Sequence, residues 1–248
     1  MPLLQQIIGN KKVKYILYSF LSFIIIILII PLKAFNVPYC TIITDKDGQV
    51  ISAQIATDGQ WRFPPIEKVP EKFTAAIINF EDRNFYYHPG FNPVSILRAA
   101  YKNIISGRIR QGGSTITMQV ARLLGKNKSR NLWEKLKELV IAIKAELLYN
   151  KEEILISYAS HAPFGGNIVG LQAACWRYFG RNAEEISWAE AAMLAILPNS
   201  PGLIFPGKNK ELLLKKRNLL LLTLYKRNII DNTTYKLSVK EPLPEQVL

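Results

Sequence analysis

Residues 81–90 read Glu-Asp-Arg-Asn-Phe-Tyr-Tyr-His-Pro-Gly, and residues 112–119 read Gly-Gly-Ser-Thr-Ile-Thr-Met-Gln. The acid pair Glu81-Asp82 closes an apolar run, Phe73 to Phe80 (FTAAIINF). Unpaired carboxylates are costly to bury and tend to be kept for chemistry, here proton transfer. In the second stretch two glycines lead into hydroxyl residues at the start of an apolar-periodic segment. Ser114 and Thr115 there serve either as helix caps or, with the free N–H groups of a helix amino terminus, as an anion receptor.

Outward from these stretches the pattern is helical. Period and stop signals predict helices over Glu71–Phe80, Pro93–Ile105, Thr115–Leu124, Leu132–Tyr149, Glu152–Tyr158, Gly170–Phe179, Ser187–Ile196 and Glu211–Arg227. The polar run Gly125–Arg130 between two of them is the best candidate for a mobile loop. Towards the amino terminus, Thr41–Thr44, a turn at Asp45–Gly48, and Gln49–Ile55 predict a small β-hairpin. Before it, Lys11, Lys12 and Lys14 precede an apolar run from Tyr15 to Leu32, broken by Ser19 and Ser22 before Pro31. Such a run spans about 27 Å as a helix, close to a hydrocarbon core of about 30 Å. No small-x-small cleavage site follows it, so it reads as a retained anchor; the lysines place the amino terminus in the cytoplasm and the rest outside.

The expected division is a cytoplasmic basic tail and transmembrane anchor (1–33), a membrane-proximal hairpin segment (34–58), one mainly α domain (59–232) and a carboxyl-terminal tail (233–248). The net charge is +13, but no nucleic-acid motif accompanies it, and anionic lipid or pyrophosphate explains it more economically. Two cysteines, Cys40 and Cys175, and two histidines, with no HExxH or CxxC, make a protein-caged zinc improbable.

The chain resembles glycosyltransferase family 51, the peptidoglycan polymerases found as the transglycosylase domain of class A penicillin-binding proteins and as stand-alone enzymes. Five ordered segments carry the likeness: the two quoted above, then NLWEKLKELVIAIKAEL (131–147), EILISYASHAPFGGNIVG (153–170) with AACWRYFGR (173–181), and EAAMLAILPNSP (190–201). The Thr117–Arg122 and His161–Gly166 runs look most like the type 1C branch. The resemblance implies a lysozyme-like fold and a reaction that joins a growing glycan on undecaprenyl pyrophosphate to the 4-hydroxyl of lipid II. It implies an extracytoplasmic domain at the bacterial cytoplasmic membrane and help from a divalent metal, Mg or Mn. No Ser-x-x-Lys or Lys-Thr-Gly is present, so cross-linking is left to a separate transpeptidase.

By this resemblance Glu81 matches the catalytic base and Glu138 a second glutamate that assists pyrophosphate departure. Gln119 faces the cleft, and Arg98, Ser114, Thr115, Arg122 and Lys135 hold phosphate or orient catalytic groups. Asp82 is a candidate metal or hydrogen-bonding neighbour. Taken alone, Glu138 reads first as one of a set of helix salt bridges with Glu134, Lys135 and Lys137, and only the motif context turns it towards catalysis; His88 reads as a structural hydrogen-bonding residue beside Pro89 and Gly90. The chain departs from the family pattern at Met118, where a glutamine is usual, at Glu134, where an arginine commonly precedes Lys135, and at Tyr158-Ala-Ser160, where Tyr-Leu-Asn is usual. Two rivals follow: a lipid II-binding scaffold with an impaired cleft, and a glycan-cleaving hydrolase built on the same carboxylate pair.

Overall fold

The computed structural model describes residues 11–29, 31–32, 34–107, 112–125, 131–199, 202 and 206–245; the first ten residues of the expected tail-and-anchor segment and most of the expected loop after Gly125 lie outside them. In chain order the elements are α1 (Lys11–Ile29), β1 (Thr41–Thr44), β2 (Val50–Gln54), β3 (Trp61–Arg62), α2 (Glu71–Glu81), α3 (Pro93–Ser106), α4 (Ile116–Leu124), α5 (Leu132–Leu148) and α6 (Lys151–His161). They continue with β4 (Ile168–Val169), α7 (Leu171–Phe179), α8 (Trp188–Ile196), α9 (Lys210–Lys226) and α10 (Asn232–Lys240). The expected mainly α architecture is borne out, and helix boundaries fall close to the signals in the sequence. Thr115 and Asn131 accept from the N–H groups of Met118 and Glu134, while Asn150 with Glu153 and Ser187 with Glu190 form full capping boxes.

The hub is α8. Every residue from Ala189 to Ile196 is buried, and α2, α9 and α10 pack around it. A helix buried on all sides has no solvent face to offer, so it sits in the centre and fixes its neighbours. Arg217 of α9 locks α10 in place; buried itself, it donates from Nη1 to the Glu241 carbonyl at 2.7 Å and from Nη2 to the Val239 carbonyl at 3.1 Å. Residues 233–240, legible from sequence only as part of a tail, belong to the packed helix α10.

β1 and β2 form the expected antiparallel hairpin, pairing Thr41 with Gln54 and carrying a register shift between Ile43 and Thr44. β3 and β4 form a short parallel ladder that sequence reading did not anticipate. The expected transmembrane anchor is not borne out: among the described residues no helix is long and apolar enough to cross a membrane. The lysines at 11, 12 and 14 occupy the first turn of α1. Both cysteines are free and buried.

Two glycines set how closely the site's layers approach. At Gly90, with φ +88°, a Cβ would lie 2.8 Å from the Ala142 carbonyl oxygen of α5; at Gly113 it would lie 2.9 Å from Ile96 Cα of α3. The His-Pro-Gly turn can therefore lie directly on α5, and the Gly-Gly stretch directly on α3.

Candidate active site

α2 delivers Glu81 in its last turn, and α4 meets it. Glu81 Oε2 accepts from Gln119 Nε2 at 2.9 Å, and Oε1 accepts from Asn199 Nδ2 at 3.1 Å. Burial pushes the Glu81 carboxyl above its ordinary range. The Asn199 and Gln119 hydrogen bonds pull it back, Asp82 adds to the rise, and Lys216 of α9 opposes it. The result is a carboxylate held by two amides and poised nearer neutrality than a surface glutamate. Next to it, Tyr158 is fully buried, and its hydroxyl has no hydrogen-bond partner among the described residues. Burial first, and the Glu81 charge second, push that phenol well above its normal range, so it stays neutral.

Glu138 lies on α5 within a cluster of cations. Lys135 Nζ is 3.3 Å from its Oε2 and also donates to Ser114 Oγ, while Arg122 Nε of α4 is 3.9 Å from its Oε1. Gln119 and Arg122 are three residues apart, so they share one face of α4 with Cβ atoms about 5–6 Å apart. One helix thus reaches both glutamates, touching Glu81 with an amide and Glu138 with a guanidinium. Glu138 is not merely part of a surface salt-bridge set, because its partners come from α4 and α5 together. Glu134 takes the surface role instead, accepting from Lys137 at 3.0 Å.

The remaining expected residues divide. Arg98 is exposed and donates to Ser95 Oγ at 3.1 Å, one turn away on α3, and reaches neither glutamate. Thr115 is buried; its hydroxyl donates to the Gly90 carbonyl at 2.6 Å and caps the Met118 N–H, so it fastens α4 to the His-Pro-Gly turn. Asp82 is buried as well. Its Oδ2 accepts from the Ile116 N–H at 3.1 Å and lies 2.9 Å from His88 Nε2, which makes it the tie between the motif turn and the start of α4. Among the described residues no group of three or more His, Cys, Asp or Glu side chains could hold a metal ion, and the Asp82 oxygen in question is committed to the fold.

Beneath the site a buried network braces α4, α5 and α6. Glu146 Oε1 accepts from Thr117 Oγ1 at 2.6 Å and from Lys151 Nζ at 2.7 Å, and Lys151 also donates to the His88 carbonyl at 2.8 Å while lying over the Phe85 ring. The departures at Met118 and Ser160 sit in packed positions. Met118 is buried against Ala121 and Ala142, and Ser160 Oγ accepts from the Ile66 N–H at 3.3 Å.

Sequence reading missed Asn199, Tyr158 and Lys216. Asn199 had one legible signal, a polar side chain shortly after the largely apolar α8 and before Pro201. Its reach of 118 residues back to Glu81 had none.

The description Transglycosylase belongs to the family model that matches residues 47–225. Penicillin-binding protein 1C of Escherichia coli (strain K12) is 39% identical over 214 residues, which is 86% of this chain and 28% of that protein. Penicillin-binding protein 1A of Aquifex aeolicus (strain VF5) is 41% identical over 178 residues, covering 72% of this chain and 24% of the relative. For penicillin-binding protein 1A of Pseudomonas aeruginosa the figures are 35% over 216 residues, 86% of this chain and 25% of the relative. The chain spans about a quarter of the length of these curated relatives. The likeness expected to the 1C branch is present, and the chain belongs to the transglycosylase family of the class A penicillin-binding proteins.

Proposed function

We propose that the chain is a peptidoglycan glycosyltransferase of lysozyme-like fold that polymerises lipid II into β-1,4-linked glycan. The single observation that carries the reading is α4, which holds Gln119 against Glu81 and Arg122 against Glu138 on one face. In the reaction the 4-oxygen of lipid II forms a bond to the anomeric carbon of the growing glycan. The bond from that carbon to pyrophosphate breaks, and the electron pair leaves with the phosphate. Glu81 receives the hydroxyl proton, a task suited to a carboxylate whose burial raises its basicity. Arg122 and Lys135 meet the charge that develops on the departing pyrophosphate, with Glu138 holding both cations in place. Acid and base groups on opposite sides of the sugar parallel the inverting glycosidases, so an α-linked donor gives a β product. Mg or Mn would supply further positive charge for the departing pyrophosphate, in the same sense as Arg122 and Lys135.

The surface supports work at a lipid interface. On α3, Val94, Leu97, Tyr101, Ile104 and Ile105 form an exposed stripe, with Ile104 at 80% exposure, and Trp133 of α5 is also exposed. Amphipathic helices of this kind lie in the headgroup boundary. With the basic charge and the apolar run from Tyr15, they support a protein held at the outer face of the bacterial cytoplasmic membrane. Incubation with labelled lipid II tests the reading: glycan polymer and released pyrophosphate support it, whereas bound but unchanged lipid II would favour the scaffold. Cleavage of preformed strands would favour the hydrolase.

A further inference from the structure

Between α2 and α6, away from the two glutamates and their cations, lies a cavity of about 470 Å³. Its volume falls within the range typical of ligand sites. Val69, Ala75, Ile78, Leu155 and Ile156 make an apolar floor, and Tyr86 stands at the wall. Three exposed carboxylates, Glu67, Glu71 and Glu152, share the rim with one lysine, Lys68. None of the three forms an ion pair among the described residues.

A helix start explains Glu71 and Glu152 in part, since both lie in first turns where the dipole favours acids. It does not explain why those turns face each other across an apolar hollow, joined by Glu67 from the preceding loop. On a chain of net charge +13 this is a local excess of negative charge. Carboxylates attract an ammonium or guanidinium, an aromatic wall adds cation–π attraction, and an apolar floor takes aliphatic carbon. We infer that this groove is a docking site for a partner protein's segment that presents an apolar side chain flanked by Lys or Arg. An anionic lipid headgroup would meet repulsion at the rim, and a second copy of this chain carries the same large positive charge.

The test uses the full chain in zwitterionic-lipid nanodiscs, with empty nanodiscs as the blank. Fluorescence anisotropy is read with a labelled Lys-Leu-Leu-Lys-Leu-Leu-Lys peptide and with its counterpart carrying Glu in place of Lys. The basic peptide should bind and the acidic one should not. Glu71→Gln and Glu152→Gln should each weaken binding about two- to fivefold, with the effect shrinking as salt rises. Ala75→Trp should fill the floor and abolish binding; because that variant can fail to fold, the double reversal Glu71→Lys/Glu152→Lys at exposed positions provides a second loss, of about tenfold or more. Lipid II polymerisation should be unchanged in the folded variants. Equal binding of both peptides, or binding indifferent to all of these changes, would overturn the inference. So would self-association of the wild type that the double reversal removes.

Discussion

Replacing Lys135 by glutamine separates a structural from a chemical role at the Glu138 end of the site. In the structure Lys135 Nζ lies 3.3 Å from Glu138 Oε2, with side-chain exposures of 45% and 16%. A half-exposed pair three residues apart on one helix is worth about 0.3–0.5 kcal/mol. Its loss should lower Tm by only about 1–2 °C in a protein of this size. Glutamine also keeps a donor for Ser114 and Glu138. The charge is what disappears, and a pre-positioned group aimed at developing negative charge is worth about 10²–10³ in turnover, or about 2.7–4 kcal/mol. Turnover of labelled lipid II and thermal unfolding, measured on the same preparation, should therefore differ sharply. Lys135→Arg, which keeps the charge but not the compact ammonium, should recover part of the rate. Turnover within about threefold of wild type for Lys135→Gln would refute the reasoning and return Lys135 to the helix surface.

Asn199→Ala removes the largest influence that lowers the Glu81 carboxyl, so that carboxyl rises further. The acid limb of kcat/KM should move to higher pH while the alkaline plateau keeps most of its activity; an unmoved limb would detach Asn199 from the base. Gly90→Ala sets a Cβ 2.8 Å from the Ala142 carbonyl oxygen at φ +88° and should cost about 1–3 kcal/mol in denaturant unfolding. Ser160→Asn, which restores the more usual residue, should destabilise by about 1–3 kcal/mol through overpacking, because Ser160 is buried and tied to Ile66; a gain in turnover would show that the position reaches the substrate.

The helices were legible because their caps and stops are local chemistry. Asn131 before α5, Asn150 before α6 and Ser187 before α8 each satisfy an N–H three residues on, and a single sequence carries that information. Glu81 stood out as part of an acid pair closing an apolar run, whereas Glu138 was singled out through motif likeness alone. What no local signal carries is which of two hydroxyls, Ser114 or Thr115, turns towards a cation and which turns into the Gly90 carbonyl. The same holds for Asp82. An acid beside a catalytic glutamate suggests a metal neighbour, yet its burial against Ile116 and His88 comes from tertiary packing. The short β3–β4 ladder joins residues over a hundred positions apart through two-residue strands, too short to leave a periodic trace.

The Glu81→Gln variant tests the central claim most directly, by lipid II polymerisation and thermal unfolding on one sample. Glu81 has a folded-state carboxyl raised above 4.5, so between pH 4.5 and that raised value the folded protein holds more protons than the unfolded one. Stability therefore falls as pH rises through that window, and a neutral amide escapes the penalty. The amide keeps the shape: its oxygen still accepts from one of Asn199 and Gln119, and the other can turn its oxygen towards the new NH2. Polymerisation should fall by about 10²–10⁴, with Tm at neutral pH equal to or above that of the wild type. Near-normal polymer synthesis by a folded Glu81→Gln protein would contradict the account.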